Sequence, residues 1–187
     1  KITPLAIDIN DTRSLSAAQL TRDALRDMGK NIGGAEILVC GASYRQDVGD
    51  TRYSGSEVVV RKLTEMGALV SVHDPYVKNW PEFEGQEVDS HSKSRFFRNQ
   101  DGLVNINIDS ELSDSLSGVD AVVLAVPHSD YLQMKPEEVI SQVGEACAIV
   151  DCFCILNDEE IKKYLELGCD VKGLGRGHIK RIKDSVN

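Results

Sequence analysis

Four short apolar runs set the limits on what this chain can fold into: Ile37–Cys40, Ala68–Val72, Ala121–Val126 and Ala146–Val150. None alternates apolar with polar residues. Strands built from them are therefore buried on both faces, as in a parallel sheet covered by helices on each side. Helical segments lie between them. Ser54-Gly55-Ser56-Glu57 reads as a capping box that opens a helix ending at Gly67, although the β-branched triplet Val58-Val59-Val60 weakens that helix locally. Pro136 suits the first turn of another helix, with Glu137 and Glu138 favourable beside its N-terminal dipole. Asn157 or Asp158 caps a third, Gly168 ends it, and Val171 to Leu174 offers a last short strand. Ahead of the first run, Leu15 to Met28 is helical, with Ser14 at its start and Leu20, Ala24 and Met28 at helical spacing. The expected fold is α/β: a Rossmann-like, doubly wound, mostly parallel sheet with an N-terminal connector helix. Tyr76 to Asn107 departs from this pattern. It is polar, with Trp80, Phe96 and Phe97 scattered through it, and reads as a long surface connection holding at most one short strand.

The 187 residues suffice for one domain with a real core and a short appendage. A formal net charge of −9 argues against nonspecific binding to nucleic acid or anionic lipid, but not against a small anion that sees only a local field. No apolar run approaches the ~20 residues needed to span a bilayer, and no start resembles a signal peptide. The five cysteines, Cys40, Cys147, Cys152, Cys154 and Cys169, lie mostly in or beside apolar runs without framework spacing. That pattern is expected of reduced, buried thiols in a cytoplasmic protein. Cys152-Phe153-Cys154 lacks the two-residue gap of a zinc knuckle and reads as neighbours just past a strand.

The stretch from Ile37 to Pro75 starts like a nucleotide-binding β-α-β unit, with an apolar run, a glycine, a charged loop, a helix and a second apolar run. The loop has Gly41 followed by Tyr44-Arg45 rather than three closely spaced glycines, and it carries Asp47, Asp50, Thr51 and Arg52. A ligand on an open α/β sheet lies outside the carboxyl ends of the strands, which places Gly41 to Tyr53 at the site. Arg45 and Arg52 either grip phosphates, whose oxygens match guanidinium forks, or form internal ion pairs worth little energetically. Asp74, just past the second run, is placed to bind ribose hydroxyls. Without the glycine fingerprint, its setting in His73-Asp74-Pro75-Tyr76 reads instead as a turn. His128, after the third run, is either a general acid/base or a loop residue that caps or lines the site without chemistry; the second reading is the expected one. The basic, glycine-rich terminus Gly173-Leu174-Gly175-Arg176-Gly177-His178, followed by Lys180-Arg181, either reaches a ligand or is a frayed tail.

Taken together these segments resemble the C-terminal, nucleotide-sugar-binding part of the UDP-glucose/GDP-mannose dehydrogenase family. The matching residues are Gly41-Ala42-Ser43-Tyr44-Arg45 with Asp47, Asp50-Thr51-Arg52 with Ser54, Asp74-Pro75-Tyr76-Val77, Asp120-Ala121, His128, Asp151 and Gly173-Leu174-Gly175-Arg176. Ile9-Asn10-Asp11 is similar to the family's central helix motif. The resemblance implies two NAD-dependent oxidations that turn a sugar CH2OH into a carboxylate. It implies that Tyr44 and Arg45 contact the UDP-sugar, Arg45 standing where many members have Lys, and that Arg52 reaches NAD across a domain interface. Either Arg176 or Arg181 would contact substrate in a neighbouring site. Gly55 stands where many members have Pro, which loosens that helix start.

It further implies that residues 1–33 end a helical connector that dimerises these enzymes, and that residues 34–187 form the nucleotide-sugar-binding domain. The family's catalytic cysteine and its NAD domain lie in an N-terminal half, and none of the five cysteines here matches that nucleophile. The chain is thus expected to be inactive alone, as part of a longer enzyme or one subunit of a split one, with an N-terminal NAD-binding domain and a homodimer as partners. A stand-alone nucleotide-binding or regulatory module is the alternative. UDP-glucose, UDP-N-acetylmannosamine and UDP-N-acetylglucosamine all remain open as substrates, and GDP-mannose is less favoured.

Overall fold

A computed structural model describes residues 2–83, 106, 108–109 and 111–186. Among these residues the chain forms α1 (Ile2–Asp27), β1 (Glu36–Cys40), α2 (Gly55–Glu65), β2 (Leu69–His73), β3 (Ile108–Asp109), α3 (Leu112–Leu116), β4 (Ala121–Leu124), α4 (Pro136–Val143), β5 (Ala148–Asp151), α5 (Asp158–Glu166), β6 (Asp170–Gly173) and α6 (Ile179–Val186). The strands make one parallel sheet in the order β3-β2-β1-β4-β5-β6. This is the doubly wound order, whose direction of winding reverses between β1 and β4.

The apolar runs fold as their composition requires. β4 and β5 are buried at every position, and β1 at all but Glu36. Ile37, Val39, Ala121, Val123, Ala148 and Val150 face a layer made by α1 and α2. Leu38, Cys40, Val122, Leu124, Ile149 and Val171 face the opposite layer, with Leu116, Val139, Ile161 and Ile179 of α3 to α6. At the amino edge Asp120 fastens β1 to β4. It accepts the Glu36 N–H at 2.9 Å and the Lys30 ammonium at 2.7 Å.

Several local expectations change. The first helix runs from Ile2, well ahead of Leu15. Its second half, through Ala17, Ala18, Thr21, Ala24 and Leu25, is buried in the core beside the sheet, and the small alanines permit that close approach. Ser54 does cap α2, accepting the Ser56 N–H, but no capping box closes there. Glu57 turns instead to Arg61, one helical turn on, in a buried ion pair with Nε at 2.8 Å from Oε1. The full box forms at α5, where the Asn157 side chain accepts the Glu160 N–H and Glu160 returns the bond to the Asn157 N–H.

Trp80, expected on a surface connection, is buried with Val77 and Phe83, and its ring meets Phe83 edge-on at 4.7 Å. That segment packs because it has partners. Arg61 lies over the Phe83 ring at 4.6 Å and donates to the Glu82 carbonyl. Phe96 and Phe97 fall outside the described residues. The short strand allowed within the connection is seen just past its expected end, at Ile108–Asp109. No helix among the described residues is long and apolar enough to cross a membrane.

Candidate functional site

Two cavities, of about 450 and 310 Å3, open at the amino ends of the strands and are lined by residues such as Glu36, Leu69 and Val119, or Asp27, Cys169 and Lys183. The sequence-predicted site lies at the opposite, carboxyl edge, around the reversal between β1 and β4.

Gly41 ends β1 with φ +105°, and a Cβ there would stand 2.5 Å from Val126 Cβ. Only glycine lets the chain leave β1 this close to the end of β4. The loop that follows is organised by Asp74 at the end of β2. Its Oδ2 accepts the N–H groups of Ala42 (2.7 Å) and Ser43 (3.1 Å). Its Oδ1 accepts those of Tyr76 (2.8 Å) and Val77 (3.0 Å). Burial by itself works to raise the Asp74 pKa. The bonds from His128 and from the Tyr76 and Ala42 N–H groups overcome it, so the carboxyl sits below its ordinary value. Asp74 is therefore buried and fully engaged, as the turn reading expected, and it is not presented to a ribose.

His128 is wholly buried. Its Nδ1 accepts the Asp47 N–H at 2.9 Å, and its Nε2 lies 3.1 Å from Asp74 Oδ2 and 3.0 Å from Ser43 Oγ. A backbone amide can only donate, so Nδ1 is bare and Nε2 carries the proton. Ser43 Oγ in turn donates to the Arg45 carbonyl. Ser, His and Asp are thus neighbours, yet Ser43 and Asp74 share one imidazole nitrogen. A hydrolytic triad needs them on opposite nitrogens, so the cluster is structural. Asp47, in the left-handed region at φ 55°, closes it by accepting the Ser129 N–H (2.9 Å) and hydroxyl (2.6 Å), and these bonds hold its pKa down.

Tyr44 and Arg45 stand out from this network. Tyr44 is 46% exposed, and the Arg45 guanidinium lies 5.5 Å from its ring centre. Arg52 is exposed and forked onto Asp50, Nε to Oδ1 at 2.9 Å and Nη2 to Oδ2 at 2.6 Å. These bonds lower the Asp50 pKa to about 2. Thr51 is tied to Glu82 at 2.8 Å. Tyr53, at φ 60°, is 88% exposed.

The two C-terminal arginines differ sharply. Arg176 is 9% exposed and its Nη1 donates to Asp151 Oδ2 and to the Leu156 carbonyl, both at 2.6 Å. Asp151 also accepts the N–H groups of Phe153, Ile155 and Leu156, so the pair sews the end of β5 to the turn after β6. Arg181 is exposed on α6. The structure brings Tyr44, Arg45 and Arg52 together on one loop and leaves Arg176 in a separate buried pair. Sequence reasoning missed the engagement of His128, Ser43, Asp47 and Ser129 with one another. Their only sequence signal was two polar segments that each follow an apolar run.

Comparison with known proteins places the chain in a family. The chain is 28% identical over 174 residues to a UDP-N-acetyl-D-mannosamine dehydrogenase of Methanococcus vannielii, covering 92% of this chain and 34% of that protein. It is 20% identical over 139 residues to a UDP-glucose 6-dehydrogenase of Caenorhabditis elegans, covering 74% of this chain and 27% of that one. The crystal structure of an NDP-N-acetyl-D-galactosaminuronic acid dehydrogenase from Methanosarcina mazei Go1 superposes with a TM-score of 0.79 at 26% identity, over 96% of this chain and 33% of that one. The chain thus spans between about a quarter and a third of the length of these relatives. Residues 38–158, well over half of it, match the UDP binding domain of one family, and the chain belongs to that family, the UDP-glucose/GDP-mannose dehydrogenases.

Proposed function

We propose that this chain is the part of an NAD-dependent UDP-sugar 6-dehydrogenase that grips the UDP moiety, and that Tyr44 and Arg45 make the contact. One observation carries the reading. The loop that leaves β1 at the reversal of the sheet is fixed at its base by buried bonds and presents Tyr44 and Arg45 outward. A guanidinium there offers a fork to a diphosphate.

Of the two C-terminal arginines, we assign the substrate contact to Arg181. Arg176 is committed to Asp151, and breaking a buried pair costs about 3–5 kcal/mol. The loop after β1 lacks the fingerprint glycines of a dinucleotide site, and Asp74 is engaged by the protein itself. On this reading NAD, which supplies the hydride acceptor, is held mainly by an N-terminal domain together with the catalytic cysteine, and Arg52 reaches toward it once released from Asp50. A cytoplasmic homodimer of the whole enzyme, joined through the connector helix of residues 1–33, completes the proposal. The exposed Ile2, Leu5 and Ile9 on α1 are in keeping with it.

Titration of the 15N-labelled chain with UDP tests the binding. Shifts should cluster at Tyr44, Arg45 and their neighbours, and Arg45→Ala should weaken binding about tenfold or more, since a charge-assisted bond contributes roughly 1.5–3 kcal/mol. No perturbation at millimolar UDP would sink the reading. So would NAD reduction by this chain alone with a UDP-sugar.

A further inference from the structure

His128 touches both ends of one five-residue segment. Nε2 meets Ser43 and Nδ1 meets Asp47, and the residues between them are Tyr44, Arg45 and Gln46, all exposed. Each end has further anchors, but only at Asp47 does the main-chain N–H depend on the imidazole. Ser43 is fixed redundantly: its N–H goes to Asp74, and its carbonyl accepts the Ser54 hydroxyl at 3.0 Å. At the Asp47 end the main-chain N–H goes to the imidazole, and the side chain to Ser129. The ring itself is packed in place. Tyr76 and Tyr131 lie 5.1 and 5.5 Å from its centre, and the Tyr131 hydroxyl is anchored on the His73 carbonyl at 2.8 Å.

From this geometry we infer that His128 is a positioning residue: its bare Nδ1 clasps the far end of the Ser43–Asp47 segment and so presets Tyr44 and Arg45 for a pyrophosphate-bearing ligand. It does not move a proton to or from substrate. Its one acidic hydrogen already faces Asp74, and its bare nitrogen is covered by a backbone amide. The inference rests on the UDP-binding reading above. Its mechanism is preorganisation, in which a loop ordered before binding leaves less conformational entropy to lose when ligand arrives.

Two substitutions separate the two nitrogens. In His128→Asn the amide oxygen falls near the position of Nδ1 and can accept the Asp47 N–H. In His128→Gln the amide nitrogen falls near Nε2 and can reach Asp74, leaving the Asp47 N–H without its acceptor. Imidazole 15N spectra of the wild-type chain should show the Nε2–H tautomer, with a scalar coupling across the hydrogen bond between Nδ1 and the Asp47 amide nitrogen. Hydrogen exchange at that amide should stay slow in His128→Asn and speed up by about tenfold or more in His128→Gln, the equivalent of one lost hydrogen bond. UDP affinity should follow the same order, mostly retained in Asn and about tenfold weaker in Gln. Circular dichroism and thermal melts of the two variants should agree.

Equal UDP affinity in the wild type and His128→Gln would overturn the inference, and so would an Nδ1–H tautomer or an unchanged Asp47 amide. A wild-type chain that ignores UDP would defeat the functional reading instead, while the tautomer and exchange data would still decide the clasp.

Discussion

At the scale of single residues the site is built around carboxylates that serve the protein before any ligand. Asp74 accepts four backbone N–H groups and faces the imidazole of His128. In Asp74→Asn the amide NH2 must point at one set of these donors whichever way it turns, leaving at least two of them unpaired. The cost should be at least about 2 kcal/mol by urea unfolding, since each buried unsatisfied donor costs roughly 1–3 kcal/mol. The pH dependence has a definite sign. The folded pKa lies below the ordinary value, so the charged carboxylate favours the folded state. That contribution is present in full above the unfolded carboxyl pKa of about 3.9 and is lost as pH falls through the lower folded value. The stability gap between wild type and Asp74→Asn should therefore shrink below about pH 4. A gap that stays constant or widens on acidification would contradict this.

At the scale of elements, local signals and tertiary demands agree at some places and conflict at others. Asn157 was readable as a cap, and it makes the complete reciprocal box with Glu160. Asn157→Ala should cost about 0.5–2 kcal/mol, seen as a lower urea midpoint with an unchanged m-value. A loss within error of zero would mean that α5 is held by packing alone, through Ile161 and Tyr164. The helix α2 shows the opposite balance. Val58, Val59 and Val60 disfavour helix locally, yet all three are buried, and burial of ~1.5–3 kcal/mol for each such side chain outweighs the few tenths lost in propensity. The box expected at Ser54 failed because Glu57 found a better partner in Arg61, a choice fixed by Glu82 and Phe83 from a distant segment.

At the scale of the whole molecule, burial sorts the cysteines. Cys40, Cys147, Cys152 and Cys169 are buried, and Cys154 is exposed. Burial pushes the Cys40 thiol well up and raises that of Cys152 to about 12. A thiol reagent at neutral pH should therefore label Cys154 quickly in the native chain and the other four only on unfolding; fast labelling at any second position would show that the core opens more readily than its packing implies. The sequence by itself determined the sheet and its parallel sense, because unbroken apolar runs joined by helices admit few other arrangements. It also offered the loop with Tyr44, Arg45 and Arg52 at the carboxyl edge as the candidate site. Only the tertiary structure decided which polar residues are spent on holding that loop. Asp47, Asp74 and His128 are separated by up to 81 residues, and a hydrogen bond depends on distance in space, which periodicity along the chain does not encode. The same holds for Arg176. As sequence it is a basic residue in a glycine-rich tail, and it became a buried partner of Asp151 only because β5 and β6 lie side by side.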